Sequence, residues 1–552
     1  MPSPYSRGLR PSRRDLMIVL MTLGVAYIWL GTPTRSQPAY DAARSAERGR
    51  MSSLGSLWSS GKSDCPPPQS VSFEETVKKV GFVRDPASTE SDNEQFKHLN
   101  TKMLGHTPGW TMFEQLYIFN GQLYVVSCVV VASSLTPRPS RDAWPELRKL
   151  TSTGVGANSE PGNEQAREPT GGEIIFIQAE EAHRLWGDNV YRMRGMTWLG
   201  TARTPLGAHT APLIDHYYHF AAELLLGTWR VHATLDPHIT AEAHSSIEPP
   251  ARAWFLHHEP NQWRDHPKFN PTIMYGCFPN TALLFPQDMD DLRQVTASEY
   301  RKKAYVLDKA ILADRSAAFR GPYTGPTSRT VAGATALGNV SRWWWEPIRR
   351  QVLRFSEVPE EIISRNLEGY GAVDPVEWEG KTAAEIGYTP LKPAGDYKPV
   401  VTYISRQKSR RRLTPESHNK LVAALKEKAE KVGFELIVVE AERYTKEEQF
   451  AIAGKTTIML GVHGNGLSHL LWMPATPRSA VIEMFYHGGF ARDYQWTAHA
   501  LGIRHFAVQH DQYRTSPNLY RVDYPEGFQG NQITVDAATV ANLIEARLTG
   551  KA

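Results

Sequence analysis

Four arginines stand just after a short apolar run in the second half of the chain. The run KPVVTYIS ends at Ser405, and it is followed by Arg406, Arg410, Arg411 and Arg412. Guanidinium groups match the geometry of phosphate oxygens and stay charged at physiological pH. A solvated basic loop is the alternative. Because the run is a predicted strand of a parallel sheet, whose ligands bind at the carboxyl ends of the strands, we favour phosphate binding at Arg406.

A second candidate is the glycine-rich segment from Thr456 to Tyr486. We predict a strand at TTIML, a turn at GVHGNG, a short helix at LSHLLWM that Pro474 ends, and a strand at AVIEMFY. Glycines let the amides of such a turn and the start of the helix point at one place, where they attract anions. His463 adds a donor whose charge can change near neutral pH. A tight turn with a backbone-bonded histidine is the alternative.

The two features fall on the same edge of the predicted sheet, and together they indicate a pyrophosphate site. The chain has no GxGxxG followed by an acidic residue at dinucleotide distance and no Walker lysine, so NAD and ATP are poorer expectations.

A third candidate lies in the first half, in the predicted helix DHYYHFAAELLLG. His219 and Glu223 stand four residues apart and therefore project from one helix face. An imidazole or a carboxylate facing a phosphate-binding cleft can deprotonate an acceptor hydroxyl. The alternatives are a core histidine among aromatic neighbours and a glutamate paired with an arginine.

A metal site is the less favoured interpretation of Asp288-Met289-Asp290. This DxD pattern can hold a divalent ion against a diphosphate. It leads into Leu292, however, and acidic residues are typical of the first turn of a helix. We therefore predict a surface helix there and no metal ligands.

The order of predicted elements defines an α/β fold. Strands and helices alternate in the second half, which indicates a parallel sheet covered on both faces. In the first half we predict a hairpin around Asn120-Gly121, a strand from Lys303 to Gly321, and a helix that begins near Ser341 with tryptophans as packing anchors. Residues 368–399 contain Gly and Pro and suit a linker between domains.

The N-terminus predicts a membrane anchor. Arg7, Arg10, Arg13 and Arg14 precede an uncharged run from Leu16 to Gly31. The arginines favour a cytosolic N-terminus and hence a single-pass type II protein whose body is lumenal. The run is somewhat shorter than the roughly 20 residues of most spanning helices, so a cleaved signal peptide is the alternative. Ser, Gly, Pro and Arg then dominate a predicted flexible stem.

Bulk composition excludes some partners. The net charge of +4 is small against 62 basic and 58 acidic side chains, so we expect no nucleic acid. The cysteines fit neither a zinc spacing nor a CxxC pair, and Cys128 with Cys277 is either a disulfide or a pair of buried thiols. Asn339 begins an N-glycosylation sequon, which suits a lumenal protein.

The motifs resemble those of glycosyltransferase family 61, above all its fungal branch. GVHGNGLSHLLWMP and AVIEMFY resemble the family signature, YISRQKSRRRL its strand with arginines, and HYYHFAAELLLG its helix with histidine and an acidic residue; LDKAILADRSAAFRG is similar to the fungal branch. The family includes β-1,2-xylosyltransferases and O-linked N-acetylglucosaminyltransferases. The resemblance implies a GT-B-type fold, with two Rossmann-like domains that face a cleft.

The resemblance also implies roles for individual residues. Contacts to the donor diphosphate are expected from Arg406, Arg411, Arg412, His463, Gly464, Asn465 and Gly466. Glu483 is expected beside the donor nucleoside, and His219 with Glu223 on the acceptor side as catalytic residues. The sequence departs from the family at Asn465, Ser468 and His469, where Ala, Thr and Asn are usual, and at Thr414-Pro415-Glu416, where Asn-Glu is usual.

Together with these motifs, the resemblance implies an inverting glycosyltransferase that transfers xylose or N-acetylglucosamine from a UDP-sugar to a hydroxyl of a glycan or glycoprotein. No cofactor is required, although Mn²⁺ or Mg²⁺ could assist. We expect a Golgi membrane location, with the ER as the alternative. The rival function is a non-catalytic lumenal protein that binds nucleotide sugars or glycans. We predict a cytosolic tail at 1–15, a transmembrane signal anchor at 16–31, a stem at 32–70, an N-terminal acceptor-side domain at 71–385 and a C-terminal donor-binding domain at 386–552.

Overall fold

The computed structural model describes residues 100–127, 144–158, 160–203, 213–297, 302–365 and 398–552. All of them fall in one structural unit, which contains two sheets. The predicted tail, anchor and stem lie outside these residues, as does the predicted domain boundary at 385, so these assignments stay predictions. Within the described residues, no helix is long and apolar enough to cross a membrane.

The first sheet is mixed. Its strands are β1 (Lys102–Thr107), β2 (Trp110–Phe119), β3 (Gln122–Val126), β4 (Ile174–Ile177), β5 (Val190–Gly200), β6 (Arg252–Phe255), β7 (Ala282–Leu284) and β8 (Ala304–Ala313). The order is β4-β3-β2-β8-β5-β6-β7, and β1 pairs with β2. Only β2 runs antiparallel to its neighbours β1, β3 and β8. The sheet thus departs from the all-parallel arrangement that alternation of strands and helices predicts.

Two local predictions in the first half can be compared with the structure. The hairpin is confirmed: Asn120 and Gly121 join β2 to β3 with φ angles of 50° and 68°, which asparagine and glycine tolerate best. The predicted strand from Lys303 to Gly321 is too long. It ends at Ala313 because the Asp314 carboxylate accepts a hydrogen bond from the Ala317 amide and so starts a short helix.

Helices cover both sheets. Those of the first half are Leu147–Leu150, Asn163–Ala166, Ala179–Trp186, the π-helix His219–Leu225, Leu226–His232, Phe269–Cys277, Pro286–Thr296, Arg315–Ala318, Thr324–Thr327, Ala332–Ala336, Glu346–Phe355 and Glu360–Arg365. Short 3₁₀ turns lie at Leu213–Asp215 and Ala233–Leu235. The helix expected near Ser341 begins only at Glu346. The next residue is Pro347, and proline is well tolerated in the first turn of a helix, where its missing N–H would have no partner. Trp344 and Trp345 are buried as packing anchors, as predicted.

The second sheet confirms the predicted alternation. Its strands are β9 (Val400–Ser405), β10 (Glu435–Glu440), β11 (Ile458–Val462), β12 (Ala480–Met484), β13 (Arg504–Gln509) and β14 (Gln512–Arg514). Their order is β10-β9-β11-β12-β13-β14, with all pairs parallel except the last. The helices are Pro415–Val432, Lys446–Lys455, Asp493–Ala500 and Ala537–Leu548, with 3₁₀ segments at Ala441–Arg443 and Asn465–Trp472.

This strand order creates a switch point between β9 and β11. From β9 the chain moves outward to β10, then returns to the other side of β9 to form β11. The connections after β9 and β11 therefore leave in opposite directions, and a crevice opens between the carboxyl ends of these two strands. Arg406 directly follows β9, and His463 directly follows β11.

A shared apolar core joins the two sheets. One cluster of buried side chains includes Trp110 and Trp345 from the first half and Phe450 and Trp472 from the second. Gly227 lets the helix Leu226–His232 approach this core, since a Cβ there would lie 2.3 Å from the ring of Trp110. The core thus holds the His219 segment against the second half of the chain.

Candidate active site

The arginine after β9 and the glycine turn after β11 meet at the switch point. Nη1 of Arg406 donates a hydrogen bond to the carbonyl of His463 at 3.1 Å, and its Nε donates to Oγ of Ser409 at 3.1 Å. Gly464 makes this approach possible. A Cβ at this position would lie 1.3 Å from Arg406 Nη1, and its φ of +148° also disfavours any other residue.

The start of the following 3₁₀ segment borders the same crevice. Asn465 and Gly466 are its first residues and are half-buried. The first amides of a helix have no partner inside it, which is what an anion requires. Oδ1 of Asn465 accepts a hydrogen bond from Ser468 at 3.1 Å, and Gly466 leaves room for Ile404, which a Cβ would approach to 2.8 Å.

The structure distinguishes the three arginines that follow. Arg410 is exposed and donates to Gln529 Oε1 at 3.1 Å, and Arg412 donates to the carbonyl of Ser409 in its own loop at 2.8 Å. Arg411 instead lies near the glycine turn. Its Nη1 is buried and has no hydrogen-bond partner in the described part of the chain. The structure therefore places Arg411, with Arg406, beside the turn and directs Arg412 elsewhere.

Glu483 does not lie where the resemblance implies. It sits in the middle of β12, opposite Gly461 and Ala507, with no exposed surface. One oxygen lies 2.5 Å from Nδ1 of His463, and the other lies 2.7 Å from Nε2 of His505. A side chain without exposed surface cannot touch a nucleoside. We therefore correct its expected role: Glu483 positions the His463 ring.

The protonation of this triad follows from its burial. Burial raises the pKa of Glu483 well above its ordinary value and lowers the pKa of His505 to about 3. Burial also lowers the pKa of His463, and the charges of Arg411 and Arg406 lower it further. A protonated Glu483 that donates to Nδ1 of a neutral His463 leaves no uncompensated charge buried. Nε2 of His463 then carries the proton and is a hydrogen-bond donor.

This assignment predicts a small effect of Glu483→Gln and a large effect of Glu483→Ala. A glutamine amide can donate to one imidazole and accept from the other, so the free energy of unfolding should change by less than about 1 kcal/mol. Alanine leaves two buried imidazoles without partners, at a cost of about 1–3 kcal/mol each. Urea unfolding of the three proteins measures both values. Equal destabilisation by the two substitutions would mean that the carboxyl is ionised.

The histidine–glutamate pair of the first half is formed as the spacing predicts. Nδ1 of His219 lies 2.6 Å from Oε2 of Glu223 within the π-helix, an element that is frequent at functional sites. Glu223 is 2% exposed. Arg315, which follows β8, also binds Oε2, and Nη1 of Arg329 lies 3.8 Å from Oε1.

The surroundings give the two residues different properties. Burial raises the pKa of Glu223, but the positive charges of Arg315 and Arg329 and the hydrogen bond with His219 outweigh it, and the pKa lies well below its ordinary value. A carboxylate held in its ionised form is a poor base. It can accept the Nδ1–H of His219 and so leave Nε2 with a free lone pair. The His219 side chain is 26% exposed, which makes its Nε2 the better candidate for a base.

A chain of contacts connects this pair to the glycine turn. The Tyr218 hydroxyl donates to the carbonyl of Asp493 at 3.0 Å, and Arg329 binds the Asp493 carboxylate at 2.5 Å. The Tyr494 ring lies 5.1 Å from that of Tyr218 and 5.5 Å from that of His463. Two aromatic contacts thus connect the His219 helix to the glycine turn.

Arg315, Arg329, Asp493 and Tyr494 were not predicted as site residues. Arg315 has only one sequence signal, as a polar residue in an otherwise apolar stretch. Arg329 and Asp493 lie in unremarkable polar segments, and their contacts span 106 and 164 positions of the sequence. The spacing rules that identify His219 and Glu223 do not reach such distances.

Three other predicted features lie away from this region. Asp288 and Asp290 lie at the start of the helix Pro286–Thr296. The Asp288 carboxylate accepts a hydrogen bond from the Phe285 amide, and Asp290 forms an ion pair with Arg293. The helix interpretation is therefore confirmed. Asn339 is exposed. Cys277 is a free buried thiol whose Sγ lies 3.7 Å from the carbonyl of Ile348, which fits the buried-thiol alternative; Cys128 lies outside the described residues.

The mixed α/β architecture with two sheets fits a Rossmann-like glycosyltransferase fold. Residues 217–482 match the family model described as glycosyltransferase 61, from the helix of His219 to the centre of β12. This match supports the resemblance to glycosyltransferase family 61 that the motifs indicate. A comparison with curated proteins finds no match.

Proposed function

We propose that the protein is an inverting glycosyltransferase of GT-B type that transfers xylose or N-acetylglucosamine from a UDP-sugar to a hydroxyl of a glycan or glycoprotein. One observation carries the proposal: Arg406, bonded to the carbonyl of His463, brings a guanidinium and a glycine turn together at the switch point, and Tyr494 and Tyr218 connect this turn to the helix of His219. Phosphates bind at such switch points in other doubly wound sheets.

His219 acts as the general base in this proposal. Its Nε2 takes the proton of the acceptor hydroxyl while Glu223 holds the ring through Nδ1 and stabilises the imidazolium that forms. The acceptor oxygen attacks the anomeric carbon from the face opposite the leaving group. A new C–O bond forms, the bond from that carbon to the phosphate oxygen breaks, and UDP leaves with the electron pair.

The negative charge that develops on UDP needs stabilisation. Arg406 and Arg411 supply fixed positive charge, and the amides at the start of the 3₁₀ segment, together with Nε2–H of His463, supply hydrogen bonds. These groups are in place before the reaction, so they need little rearrangement as charge develops. A bound Mn²⁺ or Mg²⁺ is compatible with this scheme but is not required by it.

The proposed location is the Golgi membrane, with the ER membrane as the alternative. The arginine-flanked run from Leu16 to Gly31 supports a type II anchor, and the exposed Asn339 sequon supports a lumenal body. Both features suit an enzyme that acts on secreted or membrane-bound glycoconjugates.

A panel of UDP-sugars tests the proposal by thermal shift of the full-length protein. A ligand that binds only the folded state stabilises it by about 2.7 kcal/mol at 100 times its dissociation constant. We expect UDP-xylose or UDP-N-acetylglucosamine to raise Tm by a few degrees and to be hydrolysed slowly without an acceptor. Binding of UDP with no turnover of any donor, with or without candidate acceptors, would support the non-catalytic rival instead.

A further inference from the structure

An exposed aromatic ring lies beside the proposed donor site. The Tyr524 side chain is 54% exposed, the highest value among the large apolar side chains of the described residues. Tyr524 lies outside residues 217–482, the segment that matches the family model, so that match assigns it no role.

Packing beneath the ring fixes its position. The Tyr524 ring meets Phe528 edge-on at 5.1 Å, and Phe528 lies 5.3 Å from the ring of His463. Gly527, with φ of +88°, turns the chain so closely over Tyr486 that a Cβ would lie 2.9 Å from that ring. The backbone of Asp523 is paired with Phe490. The ring is thus presented by a well-packed turn.

The same turn borders the guanidinium groups. Gln529 accepts a hydrogen bond from Arg410, the neighbour of Arg411. Partial burial raises the pKa of the Tyr524 hydroxyl, and the nearby charge of Asp493 raises it further while that of Arg329 lowers it. Tyr524 therefore stands at the edge of the region that holds Arg411, His463 and Asp493.

We propose that Tyr524 is the stacking platform for the uracil base of the donor. This inference rests on the proposed function, because it assumes that the arginines hold a nucleoside diphosphate. The transferred sugar must extend toward His219, so the nucleoside must leave the diphosphate in another direction. Phe528, on which the Tyr524 ring rests, packs against His463 of the glycine turn and so brings the ring within reach of that nucleoside. Every base offers a flat face to an aromatic ring, and such stacking adds affinity without hydrogen-bond readout.

Titration calorimetry with UDP and with inorganic pyrophosphate tests this role on the full-length protein. Tyr524→Ala should weaken UDP binding by about 5- to 150-fold, which is the range for loss of one base–aromatic stack, and leave pyrophosphate binding within about twofold. Tyr524→Phe keeps the ring and should bind UDP within about twofold of wild type. Tyr275→Ala is the matched control, because Tyr275 is 46% exposed and meets Trp263 edge-on at 6.4 Å.

The outcomes separate this inference from the function on which it rests. Wild-type protein that binds neither UDP nor any UDP-sugar would overturn the proposed function, and the platform with it. Normal UDP affinity in Tyr524→Ala would overturn the platform alone. Equal losses for UDP and pyrophosphate would also overturn it, since the ring would then act through the arginines. Weaker binding confined to UDP-sugars would place the ring against the sugar, contrary to the proposal.

Discussion

Replacing Gly464 with alanine is expected to weaken UDP binding by about 100-fold or more and to reduce transfer accordingly. The new Cβ would lie 1.3 Å from Nη1 of Arg406, so the guanidinium would have to leave the carbonyl of His463. Loss of a charged hydrogen bond to phosphate costs about 1.5–3 kcal/mol, and strain at the φ of +148° adds to it. Titration calorimetry of UDP into the wild type and the variant measures the effect.

Gly433→Ala separates the collision from the backbone strain. Gly433 has φ of +86° and ends the helix Pro415–Val432, but no atom lies within 4 Å of its added Cβ. Alanine there costs about 1 kcal/mol of stability and leaves Arg406 in place. We expect normal UDP affinity in this control. If both glycine variants bind UDP equally well, Arg406 and the turn do not hold the donor.

His219→Ala is expected to lower kcat by about 10²- to 10⁴-fold, the usual contribution of a general base, with little change in UDP affinity. Glu223→Gln should also lower kcat, because it removes the charge that orients His219 and stabilises its protonated form. It should in addition destabilise the fold by about 3–5 kcal/mol, because Arg315 and Arg329 lose a buried counter-charge. Steady-state kinetics and urea unfolding measure the two effects separately.

His183→Ala is the control for loss of an imidazole near a carboxylate. Nδ1 of His183 lies 3.8 Å from Asp188, and both side chains are exposed on the first half of the chain. This variant should retain wild-type kcat. Turnover at the wild-type rate in His219→Ala would contradict the assignment of the base, whereas a loss of UDP binding in that variant would place His219 on the donor.

The second sheet could be predicted because each of its signals is local. Its strands are short apolar runs, and the helix Pro415–Val432 begins where Thr414 caps it and Pro415 follows. Parallel strands joined by helices place Arg406 and His463 at one edge without knowledge of any contact. The spacing of His219 and Glu223 is equally local and indicates their pairing directly.

The remaining site residues depend on contacts that sequence spacing does not encode. Arg315 and Arg329 determine which member of the pair remains ionised, and they reach Glu223 from 92 and 106 positions away. Spacing also does not show that the Arg412 side chain turns back to the carbonyl of Ser409 in its own loop, while Arg411 lies beside the glycine turn. The family resemblance implied a place beside the donor nucleoside for Glu483, yet β12 is buried on both of its faces and encloses the side chain completely.

The position of the diphosphate in a crystal of the protein grown with UDP tests the central claim most directly. We predict both phosphates at the switch point, within hydrogen-bonding distance of Arg406 or Arg411 and of the amides that follow Gly464, with the terminal phosphate facing His219. UDP bound elsewhere on the protein, with the crevice between β9 and β11 left free of phosphate, would contradict the account.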